Sequence, residues 1–446
     1  MASRTSRASA AVFFGALVTT ATSLAAQEPA TIRLSFADAV RRVTSQDAPP
    51  AVELAGLRTD ESRARVTQAR AGLLPSLAVN GFWGNRTFSP KAQGFQFPGL
   101  PTVIGPYNVY DGRVQFRQTL FDFSNIGRLS AAKRQLTASH ADRSATIETS
   151  AQSAAIAYAR AARAQAVVSA RSADSALAAD LVAVAVAQQQ AGVSAAIDVT
   201  RARVQLAESA GRLILATSQR ERAKIDLTRA LGIDPDTRIE LTDTLSVELG
   251  AADVPADRNA AVGQAMATRP DLAAEVARGA AARTAASAIS AERLPRLDVQ
   301  ADMGLSGIRP EDAVTTRSVF VQVSWPILDG LRREGRLAEQ QAVARESEVR
   351  AKDLRQQVTA DVDGAFLDLR SAAAQQMITR ERLRLAADEV AQARQRFEAG
   401  VAGNIEVINA QGSLVRAREA DVDARFAALL AKIALARSVG SAQTLH

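Results

Sequence analysis

The chain of 446 residues contains no cysteine. That excludes disulfides, thiolate nucleophiles, cysteine metal sites and an acylated N-terminal cysteine, so a lipoprotein is not expected. Histidine is almost absent as well. His140 stands alone in an Ala-rich stretch and His446 is the last residue. A lone histidine lacks the partners that acid–base catalysis or a metal site needs. No Gly-rich phosphate-binding loop is present. An enzyme would depend on carboxylates alone, and no cofactor or metal is expected. No apolar run is long enough to cross a bilayer as a helix.

What is present begins with an export signal. Arg4 and Arg7 form a basic start, "AAVFFGALV" from Ala10 to Val18 is a short apolar run, and cleavage after Ala25 or Ala26 is expected. Residues 1–26 therefore read as a signal peptide. The formal charge of +7 drops by two without Arg4 and Arg7. The remaining excess is interleaved with acids, which reads as a solvated helix face rather than a nucleic-acid footprint.

Proline is missing where it would matter most. None of the 14 prolines lies between Pro106 and Pro235, and none follows Pro326. Both gaps are rich in Ala, Leu, Arg, Gln and Glu, so each predicts nearly continuous helix. Each gap has one break, "AGVSAA" at Ala191 and "AGVAGN" at Ala399. Each therefore reads as a helical hairpin, over about 124–232 and about 331–438. An arm from Leu331 to Glu398 would be roughly 100 Å long at ~1.5 Å per residue. Leu354, Val358, Val362, Phe366 and Leu369 form an apolar stripe along it. Taken locally, an ordinary coiled coil fits equally well.

Before each hairpin the period changes to two. Leu297, Val299, Ala301, Met303 and Leu305 alternate with Asp298, Gln300, Asp302 and Gly304. Val319, Val321, Val323 and Trp325 alternate likewise, and Tyr110, Val114, Phe116 and Leu120 oppose Asp111, Arg113, Gln115 and Arg117. "LAVNGFWGNRTF" at Leu77 is a fourth strand with poorer alternation. The strand regions span about 76–122 and 296–326, and the segments Ser76–Phe123 and Arg296–Pro326 hold 12 of the 19 aromatics. Strands of this length and kind suit a transmembrane barrel; a sheet packed on a soluble core is the alternative. Four strands cannot close a barrel, whose usual minimum is about eight, so a membrane barrel must be shared between chains.

The whole unit is doubled. "AGLLPSLAVNGFWG" at Ala71 matches "AERLPRLDVQADMG" at Ala291, and Pro50 and Pro75 correspond to Pro270 and Pro295. The repeats are expected to divide as 27–252 and 253–446.

With its doubled plan, its strand-to-helix passages at Leu120–Leu129 and Ile327–Leu337 and its Ala-Gly-Val turns, the sequence resembles the TolC-like outer-membrane efflux proteins. The resemblance covers Ile32 to the end. It implies an α+β membrane protein and a homotrimer. Each chain would give four strands to a 12-stranded outer-membrane β-barrel and its hairpins to a long periplasmic α-barrel. Segments around Ile233–Ala267 and near both ends would form a belt. It also implies passive export from an inner-membrane pump and a periplasmic adaptor, with no chemistry. By the same resemblance, Gly192, Val193, Gly400 and Val401 would receive the adaptor. Glu406, Asn409 and Asp198 would line the pore entrance, with Arg201 offsetting charge. Leu297, Val299, Ala301, Met303, Leu305, Val319, Val321, Val323 and Trp325 would face lipid. Relatives often carry a second acid where Asn409 stands. Some close the entrance with Tyr and Arg where this chain has Phe397 and Ala402. The competing reading is a periplasmic coiled-coil adaptor or scaffold without a pore. A carboxylate hydrolase would need two acids held in a pocket, whereas the acids here are scattered along helices.

Overall fold

The computed structural model describes residues 31–445, apart from 46, 95–97, 100 and 246–254. The signal peptide at 1–26, His446 and the expected repeat boundary at 252/253 lie outside the described residues. In chain order the elements are β1 (Thr31–Leu34), α1 (Phe36–Arg42), α2 (Pro50–Ala71), β2 (Ser76–Phe88), β3 (Ile104–Phe121), α3 (Phe123–Gln190) and α4 (Ala196–Ala230). They continue as β4 (Arg238–Leu241), α5 (Arg258–Thr268), α6 (Pro270–Ala291), β5 (Arg296–Gly307), β6 (Val314–Ser324), α7 (Arg332–Glu398) and α8 (Asn404–Ser438).

The helices α3 and α7 run 68 and 67 residues without a break. Each is about 100 Å long. Their companions are built in two pieces. The helix α4 ends in a left-handed turn at Gly232 (φ 64°), and α2 starts at Pro50, where the missing N–H costs nothing. The two ends abut: a β-carbon on Gly232 would stand 3.0 Å from Pro50 Cδ. The second repeat does the same, with α8 ending at Gly440 (φ 76°) and α6 starting at Pro270. Thr268 Oγ1 donates to Val439 O across that joint at 2.7 Å. Each C-terminus meets the next N-terminus, so the helix dipoles align head to tail. Alanines bring the helices close. Ala151, Ala154, Ala155, Ala159 and Ala161 of α3 are buried.

A belt surrounds the middle of this bundle. Strands β1 and β4 pair in parallel, Thr31 opposite Arg238. Phe36 of α1 meets Tyr158 edge-on at 5.7 Å, near the midpoint of α3. The Tyr158 hydroxyl donates to Leu34 O at 3.1 Å and accepts from Asp243 N at 3.3 Å. On the other side α5 packs Ala261 and Ala265 against Val358 and Val362 of α7. The apolar stripe of α7 thus finds its partner in the belt. The chain end is tied in by Glu148, whose Oε2 accepts from Ala442 N at 2.8 Å. Burial pushes the pKa of that carboxyl up, and the Ala442 amide and Arg437 pull it back.

Beyond the helices stands one antiparallel sheet of order β2–β3–β5–β6. Its register aligns the apolar residues in rows. Leu77 opposes Phe116, then Ala301, then Val319; Val79 opposes Val114, then Met303, then Arg317. Val299 opposes Val321, and Leu297 opposes Val323. Two expectations shift. Leu120 falls at a bulge, and Phe121 takes the place opposite Leu297. Trp325 lies one residue beyond β6, with Nε1 donating to Arg293 O at 3.0 Å. The apolar face of the sheet is not packed on a core: Val79, Val319 and Val321 are 78%, 71% and 67% exposed. That overturns the alternative of a sheet covering a soluble core.

The joint at Gly232 yields a test. Alanine at Gly232 and at Gly400 (φ 70°) would each pay the left-handed backbone cost of about 1–2 kcal/mol. Only Gly232 would also clash, because nothing lies within 4 Å of a β-carbon on Gly400. Urea unfolding followed by helical circular dichroism should show the larger loss for Gly232→Ala. Equal losses would contradict the end-to-end packing.

Candidate functional site

The two hairpin turns are built alike. After α3, Gly192 (φ 76°) reverses the chain, Val193 N donates to Gln188 O and Gly192 N donates to Gln189 O, both at 3.0 Å. After α7, Val401 N donates to Arg396 O and Gly400 N to Phe397 O, again at 3.0 Å. This is the double hydrogen bond of a Schellman cap, which needs glycine at its left-handed position. Gly192 and Gly400 are therefore explained by the backbone. Their neighbours are not. A Schellman cap usually covers the apolar residue after the glycine. Ile233, after Gly232, obeys this and is buried, whereas Val193 and Val401 are 73% and 72% exposed.

The two tips are joined to one another. Gln188 Nε2 donates to Phe397 O at 3.0 Å, and Asn404 Nδ2 donates to Asp198 O at 2.7 Å. Asn404 is fully buried, and its Oδ1 has no partner. Phe397 is buried with Leu181, Val390 and Val407 in a core between the hairpins. Its ring therefore fills an interior rather than standing where it could block an opening. Ala402 is half-buried.

The expected entrance residues lie at these tips. Glu406 sits in the first turn of α8, where an acid suits the helix dipole, and pairs with Arg396 at 3.4 Å. Asn409 is exposed one turn further along. Asp198 accepts from Ser194 Oγ at 2.9 Å and lies 3.8 Å from Arg201. Both acids thus have a cation of their own chain close by. The sequence reading did not single out Arg396, Gln188 or Asn404. The sequence signal available was a polar residue at each helix end, which ordinary capping would equally explain.

The sheet offers a second pair of surfaces. One face carries Leu77, Val79, Trp83, Tyr110, Val114 and Phe116 together with Leu297, Val299, Ala301, Met303, Leu305, Val319, Val321 and Val323. The other is mixed, with Phe82, Val109, Val314 and Phe320 beside a paired polar group. Arg113 bridges Asp111 and Asp302, each at 2.7 Å, Ser318 donates to Asp302, and Thr119 donates to Asp298 at 2.8 Å. Among the described residues no group of three His, Cys, Asp or Glu is placed to hold a metal, and no helix is long and apolar enough to cross a membrane.

Comparison with known proteins places this geometry. The sequence model for outer membrane efflux proteins matches residues 45–233 and 261–441. The pyoverdine export outer membrane protein OpmQ of Pseudomonas putida is 26% identical over 266 residues, 57% of this chain and 54% of that protein. The match therefore spans about half of that relative's length. The outer membrane protein VceC of Vibrio cholerae superposes with a TM-score of 0.74 at 19% identity, over 91% of this chain and 96% of that one. The CmeC outer membrane channel of Campylobacter jejuni gives a TM-score of 0.77 at 13% identity, over 91% and 86%. These two structures are alike in fold.

The bond between the tips makes a separable prediction. Asn404→Ala removes the Asp198 link together with an uncompensated buried oxygen, so global stability should move by less than about 1.5 kcal/mol. Amide exchange at residues 193–199 and 401–406 should still quicken by about five- to tenfold, the scale of one buried hydrogen bond. Unchanged exchange at both turns would mean that Asn404 does not couple them.

Proposed function

The chain belongs to the outer membrane efflux protein family, and from that premise we propose that three copies form one export channel across the outer membrane and periplasm. The unpacked amphipathic sheet carries this reading. Its outer strands β2 and β6 each leave one edge unpaired, and its apolar face is open. In hydrocarbon every backbone N–H and C=O must find a partner, so a membrane sheet has to close on itself. Four strands fall short of the minimum of about eight. Edges of neighbouring copies supply the closure, giving twelve strands from three chains. The polar face, with its Asp111–Arg113–Asp302 network, then lines the lumen.

The helices support the same assembly. Helix α3 is flanked by α2 and α4 on one side and by α6 and α8 on the other, whereas among the described residues α7 packs mainly against α5, α6 and α8. The two outer flanks keep apolar residues exposed: Val204, Leu215 and Ile225 on α4, and Leu367, Ile378 and Leu385 on α7. Within each trio the residues recur at about two or three helical turns, so each marks a stripe. Placing α7 of one copy beside α4 of the next covers both and closes a helical tube through the periplasm.

Substrate passes from an inner-membrane pump and a periplasmic adaptor into this tube and leaves through the barrel. The exposed valines at the turns, Val193 and Val401, are the docking points for the adaptor. Residues 1–26 direct export. An adaptor or scaffold without a pore would have no use for an open apolar sheet.

Three measurements test the parts. Arg at Val321 should cost about 2–4 kcal/mol if it faces the bilayer midplane, while Arg at Gln322, on the lumen side, should be mild. Equal effects on detergent-resistant assembly would sink the barrel register. Gly400→Trp should abolish export in cells and keep trimer assembly, because its side chain projects into open space; normal export would refute docking at the turn. In planar bilayers, a multivalent cation on the periplasmic side should block the wild type more than Glu406→Gln. Arg396→Gln, which frees the carboxylate, should deepen the block. A cation that blocks all three channels alike would remove Glu406 from the ion path.

A further inference from the structure

The apolar face of the sheet carries a single charge. Read along β2, β3, β5 and β6, that face is composed of Leu, Val, Ala, Met, Phe, Gly, Trp, Tyr and a few uncharged polar residues, and Arg317. On the opposite face Arg113 pairs with Asp111 and Asp302, and Asp298 accepts from Thr119. Arg317 has no such partner among the described residues. It is exposed, opposite Met303 in the register, with Val319 and Thr315 two residues away on the same face. The acids of the adjoining hairpin loop, Glu311 and Asp312, form no ion pair with it.

Its height along the strand is informative. Trp83 and Tyr110 stand opposite each other on the same face, towards the loops. Phe121, Phe123 and Trp325 mark the end nearer the helices, all about half exposed or more. From Tyr110 to Phe121 the strand climbs about 28 Å, at ~3.3 Å per residue and a tilt near 40°, which matches an apolar band about 25 Å tall. By the same measure Arg317 lies about 20 Å above Trp325 and three residues below the loop. That is the outer part of the band, about 8 Å inside its margin and within the reach of an extended arginine side chain. An arginine is costly at the bilayer midplane and nearly free at its margin, where the stem lies on apolar surface and the guanidinium reaches the headgroups.

Resting on the barrel reading above, we propose that Arg317 is a docking point for the phosphate group of an anionic lipid in the outer leaflet. A guanidinium offers two parallel N–H donors to phosphate oxygens, and the charges are complementary. Met303 and Val319 supply the apolar wall for the first methylenes of the acyl chains. Three copies would give three such sites around the barrel rim.

The test uses the assembled protein reconstituted into vesicles of phosphatidylcholine containing a minor fraction of phosphatidylglycerol. It is then extracted with mild detergent and examined by native mass spectrometry for retained lipid. The wild type should retain phosphatidylglycerol over phosphatidylcholine. Arg317→Gln should reduce that preference by about fivefold, the worth of one arginine at a charged membrane surface. Arg317→Lys should keep part of it, since charge remains but the fork is lost. Equal retention by the wild type and Arg317→Gln, with both giving bilayer conductance, overturns the lipid site and leaves the channel intact. Displacement of the lipid by an equal concentration of inorganic phosphate overturns it as well, because a free anion would then suffice. Failure of the wild type to insert into the vesicles overturns the barrel and the site with it.

Discussion

The constraint on which the proposed assembly depends is a sheet whose outer edges and apolar face find no partner within one chain. Two edges of backbone donors and acceptors lie open, and a face of valine, leucine and aromatic side chains meets no core. In water such a sheet would be an aggregation hazard. In a bilayer the same features become requirements, because lipid covers the apolar face and only closure removes the edges. The two halves supply two β-hairpins per chain, and in the proposed assembly copies around an axis supply the rest. In that assembly the ionic pairing of the other face, through Arg113, would keep the lumen polar without leaving its charges isolated.

The helical part solves a different problem, that of reach. A rod of about 100 Å has no globular core to hold it, so it depends on neighbours along its whole length. Alanine lets backbones approach, and the two-piece companions α4 with α2 and α8 with α6 extend beside the unbroken α3 and α7. Cross-repeat pairs such as Arg163 with Asp423, at 2.6 Å, and Arg418 with Asp174 tie α3 to α8. The belt around Tyr158 and Phe36 clamps the joints, where a stacked helix pair is weakest. Both chain halves also meet at the tips, through Asn404 and Gln188. Movement of one hairpin relative to the other would therefore have to break these bonds first.

Much of this was legible in the sequence because its signals are long. Proline-free stretches, period-two strands and a repeat at fixed spacing each involve many residues, and chance does not sustain them. The strand faces followed from alternation, so the row of Val319, Val321 and Val323 could be read directly. Alternation fails at a bulge, which is why Leu120 was assigned where Phe121 sits. Contacts between distant segments were not legible. Nothing in "RFEAGVAGN" says that Phe397 is interior, that Arg396 meets Glu406, or that Asn404 reaches Asp198. The turn glycines could be found in the sequence, but whether a neighbouring valine is covered is a property of the fold. Ile233 and Val401 follow equivalent glycines and have opposite exposure.

The most direct measurement is the mass of the detergent-extracted particle together with its behaviour in a planar bilayer. A particle of three chains that gives discrete, uniform conductance steps is the expected result. A monomer that stays soluble without detergent and leaves the bilayer silent would contradict a barrel shared between copies.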